Sequence, residues 1–231
     1  MTRASLIFLL SALLLPIAPA LADAPDLQSS SPHRVAKPKK RKRHARFSGQ
    51  LAPLAELRET PLEWPSGQLE LYAVNFREAI DVNLYDTDGN LDPDVLDKLN
   101  HFWRCKRTDT EKSIDPELFV TLSRIYDRYH QRIELVSGFR NQKRTSSFHF
   151  HGSAADIRIP GVSDKALRDF VATLDTGGMG LGLYPRAGFI HIDIRPEASY
   201  RWVDYSPSGT SNMGHPHKAK KRVRVASRDS D

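Results

Sequence analysis

Apolar residues in this chain recur with two periods, and the change between them separates helices from strands. In "DPDVLDKLNHFWRC" (92–105), Val95, Leu96, Leu99, Phe102 and Trp103 fall at helical spacing. In "DPELFVTLSRIYDRYH" (115–130), Leu118, Phe119, Leu122 and Ile125 do the same, with Asp115 suited to the N-cap and Pro116 to the first turn. "SDKALRDFVATL" (163–174) predicts a third helix. Elsewhere the period is two. "LELYAVN" (69–75) and "AIDVNLY" (79–85) predict neighbouring strands, followed by a plain turn at "DTDGN", whose spacing does not fit a calcium loop. "IELVSG" (133–138), "AADIRI" (154–159), "GLGLYP" (180–185) and "GFIHIDIRP" (188–196) complete the set. After the opening strand pair, two helices come next and strands mostly afterwards, so the expected class is α+β: a small antiparallel sheet with flanking helices.

Two alternating segments carry chemistry on one face only. In "GFIHIDIR", Ile190, Ile192 and Ile194 share a side that reads as core, which leaves Phe189, His191 and Asp193 on the other. In "AADIRI", Ile157 and Ile159 oppose Asp156 and Arg158. Just ahead of that strand, "SSFHFHG" (146–152) adds His149 and His151. A lone histidine on a strand is usually structural. Two His/Asp clusters, each backed by strict apolar alternation, point instead to two halves of a zinc site, since catalytic zinc commonly takes three His, Asp or Glu ligands and a water. His149 and His151 share a face if their segment is extended, so either could be the ligand.

Charge changes the picture at the ends. "RVAKPKKRKRHAR" (34–46) holds eight Lys/Arg and no acid, and "KAKKRVRVASR" (218–228) holds six more. Residues 48–208 contain 19 Lys/Arg against 24 Asp/Glu, a net of −5. The whole-chain charge of +6 therefore averages an acidic domain with two basic tails. Such runs repel themselves and cannot bury apolar surface. Adhesion to an anionic envelope surface is the use expected of them, ahead of nucleic acid. Residues 1–22 read as a signal peptide: a short basic start, the apolar "LIFLLSALLLP" and small residues at Ala20–Ala22. An uncleaved anchor is the alternative. The expected organisation is a signal peptide (1–22), a basic linker and lead-in (23–66), a globular domain (67–208) and a basic tail (209–231), exported to a periplasm. Cys105 is the only cysteine, which excludes an intramolecular disulfide and a cysteine-based structural zinc site. Nothing in the sequence sets the oligomeric state.

The histidine segment also carries a resemblance. Ser147-x-His149-x-x-Gly152-x-Ala154-x-Asp156 is similar to the motif of the zinc D-Ala-D-Ala carboxypeptidase, or LAS-type, murein peptidases, which share their fold with the hedgehog signalling domain. "SGFR" (137–140) resembles that family's "SGYR" segment, and "GLGLYPRAGFIHID" (180–193) resembles the second-histidine strand of its murein endopeptidase K subgroup. The similarity runs from about Leu69 to Asp204. It implies that His149, Asp156 and His191 bind Zn2+, that Arg140 binds a substrate carboxylate or carbonyl, and that peptidoglycan is the substrate, cut at an amide bond of its stem peptides or crosslinks. His151 is left on the substrate side.

One departure stands out. Many members carry a glutamate three residues before the last histidine or a histidine two before it, and here those positions are Gly188 and Phe189. Asp193 is the carboxylate left on the same strand face, either as general base or as support for a ligand. Without a base, the fold would serve as a non-catalytic cell-wall-binding protein.

Overall fold

Two helices begin the same way, with an aspartate cap followed by proline. Asp92 accepts hydrogen bonds from the amides of Asp94 (2.9 Å) and Val95 (3.4 Å) and opens α1 (Pro93–Phe102). Asp115 accepts from Glu117 N (3.0 Å) and opens α2 (Pro116–Tyr129), which stops where His130 turns left-handed at φ 47°. Each cap satisfies amides that the first helical turn leaves without partners, and proline costs nothing there because its missing N–H would have been unpaired. Ser163 caps α4 (Asp164–Ala172) in the same manner through Ala166 N. A single helical turn, α3 (Phe148–His151), precedes it in the chain.

The computed structural model describes residues 46–206, so the expected signal peptide, the basic run apart from Arg46, and the C-terminal tail lie outside the described residues. The strands are β1 (Phe47–Leu51), β2 (Gln68–Ala73), β3 (Glu78–Asn83), β4 (Ile133–Ser137), β5 (Ala154–Arg158), β6 (Met179–Tyr184), β7 (Phe189–Ile194) and β8 (Tyr200–Asp204). They form one eight-stranded sheet in the order β1-β8-β6-β7-β5-β4-β2-β3. The class is α+β as expected, but the sheet is neither small nor wholly antiparallel. β2 lies parallel to β4, and β6 parallel to β8. Between β2 and β4 the chain runs through β3, α1 and α2, long enough for the crossover a parallel pair requires.

Two strands, β1 and β8, go beyond the six expected from the sequence. β1, "FSGQL", is mostly exposed, with its two apolar residues, Phe47 and Leu51, separated by Gly49 on one face, and it forms a sheet edge by pairing with β8 alone. It lies in the stretch expected as lead-in. The segment after β1 is pinned by backbone hydrogen bonds from Ala52 N to Ser199 O and from Arg58 N to Asp175 O, both 2.8 Å. The plain turn at Asp86–Asn90 is as expected: Asp86 accepts from the amides of Asp88 and Asn90.

Core and site occupy opposite faces. Leu69, Leu71, Ile133, Ile157, Ile190 and Ile192 are fully buried with Leu118, Leu122, Ile125 and Leu167 from the helices. Antiparallel register sets Ile157 beside Ile190 and Asp156 beside His191. The predicted isoleucine face is thus the helix-covered core, and His191 and Asp193 point away from it. Among the described residues no helix is long and apolar enough to cross a membrane.

Candidate metal centre

Three elements deliver the site. A register shift between Leu135 and Ser137 interrupts the pairing of β4 with β5. Such a bulge inserts one residue and re-aims the next side chain, and here it brings Ser137 opposite Asp156, where its hydroxyl accepts from Arg140 Nε at 2.8 Å. The "SGFR" segment then folds back over the site, with Arg140 N donating to His149 O (3.2 Å).

His149 and His151 sit on α3, not on an extended segment. Helical geometry turns neighbours two apart in different directions: His149 is buried at 2% exposure and His151 is exposed. The turn closes at Gly152, whose φ of +80° suits glycine and whose missing Cβ would stand 2.6 Å from Ser113 O. His151 lines an open groove of about 890 Å3 with Phe148, Ser153, Arg195 and Glu197.

His149, Asp156 and His191 converge. His149 Nε2 lies 3.1 Å from His191 Nδ1 and 3.3 Å from Asp156 Oδ1, while His191 Nδ1 lies 2.9 Å from the same oxygen. The outer nitrogens fix the tautomers. His149 Nδ1 is 2.7 Å from the carbonyl of Gly138, which can only accept, and His191 Nε2 is 3.0 Å from a carboxylate oxygen of Asp193. The protons of the neutral rings therefore sit outside, and three lone pairs face one another in a buried centre. Such a set is stable only around a cation. Spacings near 3 Å suit three ligands on one tetrahedral ion with bonds of about 2.0–2.2 Å. These are the three residues that could hold a metal ion among those described.

The electrostatics follow. Burial pushes the Asp156 carboxyl up, but its two histidine neighbours and the Arg140 guanidinium beside it outweigh burial, so it is held well below the usual range. Burial holds His149 below its ordinary value. Burial acts on His191 in the same sense, yet the hydrogen bonds to Asp156 and Asp193 win and raise it.

Arg140 lies where a partner of the site should. One terminal nitrogen donates to Asp156 Oδ2, and the side chain remains 40% exposed. Asp193 is placed differently from a group that attends a metal-side water. It sits at the outer nitrogen of His191, at 1% exposure, and Arg195 grips both its oxygens from Nε (2.7 Å) and a terminal nitrogen (2.6 Å).

Several contributors escaped the sequence reading. Arg195 locks Asp193, and its guanidinium lies over the Phe148 ring at 4.8 Å. Trp202 of β8 packs against His191 with ring centroids 5.1 Å apart and donates to the Tyr184 hydroxyl. Both need β6 to be bare on this face: a Cβ at Gly180 would collide with Asp193 and Arg195, and one at Gly182 with Trp202. The signal was available, because glycine at alternate positions of "GLGLY" clears one face of a strand.

Residues 65–200 match the family model described as peptidoglycan L,D-endopeptidase MepK. The peptidoglycan L,D-endopeptidase MepK of Escherichia coli (strain K12) is 34% identical over 142 residues, covering 55% of this chain and 76% of the relative. A probable peptidoglycan L,D-endopeptidase MepK of Haemophilus influenzae is 32% identical over 126 residues, covering 48% and 67% respectively. No solved structure gives a significant match.

Proposed function

Because the chain belongs to the M15-type family described as peptidoglycan L,D-endopeptidase MepK, we propose that it is a zinc-dependent hydrolase of amide bonds in peptidoglycan, acting on crosslinks in the periplasm. The observation that carries this reading is the convergence of three lone pairs at His149 Nε2, His191 Nδ1 and Asp156 Oδ1, with both tautomers fixed from outside. Zinc bound there would polarise the scissile carbonyl and make water acidic enough to attack near neutral pH.

The chain's own residues divide the remaining work. His149, Asp156 and His191 hold the ion. Arg140 neutralises Asp156 through one terminal nitrogen and offers the rest of its exposed fork to a substrate carbonyl or carboxylate. His151, beside Phe148 and Arg195, lines the groove that would take the peptide. Asp193, the general-base candidate of the sequence reading, receives the other of its two roles. With both oxygens engaged by His191 and Arg195, it orients the histidine and raises its basicity. The apolar N-terminal run with its small-residue cleavage site supports export, and the basic tails support adhesion to an anionic envelope surface.

Asp193's engagement also favours one alternative reading, a wall-binding protein without turnover. Digestion of purified sacculi followed by muropeptide mass spectrometry separates the two. The zinc-loaded protein should convert crosslinked muropeptides to monomers, and His191→Ala should not. Sacculi left uncut by folded, zinc-loaded protein would establish the binding module.

A further inference from the structure

The loops 104–112 and 138–146 meet beside the metal centre, and the cavity between them has a cationic rim and an apolar floor. Ala73, Phe76, Phe102, Leu135 and Phe139 contribute apolar lining to a space of about 230 Å3. That is room for several waters, each occupying about 30 Å3 in the liquid. Four cations border it: Arg104, Lys106, Arg107 and Arg140.

The four are not equivalent. Arg104 is consumed by Glu78, at 2.6 Å, and Asp109, at 3.0 Å. Arg140 gives one nitrogen to Asp156. Lys106 and Arg107 have no carboxylate partner among the described residues. Lys106 Nζ is held by Asn75 Oδ1 at 2.9 Å, and Asn75 is itself braced on Val136 O at 2.7 Å. Arg107 donates to the carbonyl of Asn141, the residue after Arg140. Neutral carbonyl oxygens therefore position two full positive charges at the mouth of a cavity, inside a domain whose net charge is −5 over residues 48–208. An acidic domain that keeps unneutralised cations beside its reactive centre is arranged to receive an anion.

We propose that this cavity is a carboxylate subsite: its floor takes the aliphatic part of a substrate residue, and Lys106 and Arg107 take the carboxylate at its end. The proposal rests on the peptidoglycan reading above and names the chemistry of the residue presented next to the scissile bond. The cavity shares Gly138 and Arg140 with the site, and Gly138 O is the hydrogen-bond partner of His149. A residue seated there would therefore be one or two positions from the bond at the metal. Arg140, between the two, would bind the neighbouring carbonyl.

The test is binding, so that it does not depend on turnover. A stem tripeptide ending in a diamino dicarboxylic residue, with no scissile bond, is titrated calorimetrically into the full zinc-loaded chain, alongside the same peptide with its side-chain carboxylate amidated. Charge-assisted hydrogen bonds should make the wild type prefer the carboxylate by roughly tenfold or more. The double variant Lys106→Gln/Arg107→Gln should lose that preference while keeping its zinc and its melting temperature. Equal affinity of the wild type for the two peptides, or no measurable binding of either, overturns the subsite. A preference that survives in the double variant also overturns it, because the carboxylate then sits on Arg140 alone. Failure of the hydrolase reading looks different: the preference is present, and sacculi remain uncut.

Discussion

Two buried aspartates, Asp156 on β5 and Asp175 in the loop between α4 and β6, look alike by burial and differ in what surrounds them. Asp175, 1% exposed, accepts from the Ser199 hydroxyl (2.9 Å), Gly177 N (2.8 Å) and the Arg201 guanidinium. Each oxygen of Asp175 meets a donor. Asp156, 3% exposed, spends one oxygen on Arg140 and turns the other toward two histidines whose protons are held elsewhere. A buried carboxylate does not by itself mark chemistry. A surplus of acceptors over donors does, because only a proton or a metal ion can reconcile them.

The sharpest break in that comparison would come from removing one acceptor on each side. His191→Ala should lose zinc and all turnover, since two remaining ligands do not retain a catalytic ion. Elemental analysis showing near-stoichiometric zinc in that variant would sink the ligand set. Asp175→Ala strands the Arg201 charge in the interior and should destabilise the domain by roughly 3–5 kcal/mol. The surviving folded fraction should bind zinc as the wild type does, as thermal melts read beside zinc titration would show. Loss of zinc with an unchanged melt would merge the two clusters into one functional unit.

Asp193→Asn sharpens the contrast further in. An asparagine oxygen still accepts from His191 but lacks the charge that Arg195 balances, so zinc affinity should fall by about 10- to 100-fold. A loss of kcat with zinc affinity intact would instead restore Asp193 as the base. The dependence on pH should be gentler. His149 stays neutral because its pKa is depressed, so His191 is the group that must release a proton to bind the ion. Zinc affinity should therefore drop about tenfold per pH unit below the raised His191 pKa and level off above it. The metal-free protein has the opposite sign. Its His191 contribution to stability is fully present below the ordinary value of 6.5 and is lost as pH rises through the raised one. The smallest effect belongs to His151→Ala, which should keep its zinc. If it loses the metal while His149→Ala retains it, the assignment of the two histidines is reversed.

The sequence was most readable where period and chemistry coincided. Ile190, Ile192 and Ile194 on one face of β7 placed His191 and Asp193 on the other, and the Asp115–Pro116 pair announced the start of α2. It was least readable where pairing carried the structure. β1 is five residues long and mostly exposed, too short and too little buried to set a clear period, and the parallel neighbours β6 and β8 follow from long-range register, which no local period records. Asp193's part was ambiguous for a related reason. Its strand face was legible, but whether it meets His191 from the inside or the outside depends on Arg195, two residues on, bending back to hold it.

The bare face of β6 has a practical meaning for mutational scanning. Alanine substitution, the usual probe of which side chains matter, would pass over Gly180 and Gly182 as positions with nothing to remove. Yet there the added methyl group is the perturbation: at 180 it occupies the place of the Asp193 carboxylate, and at 182 that of the Trp202 ring. Sensitivity in this strand belongs to empty space, and a scan that only subtracts atoms is blind to it.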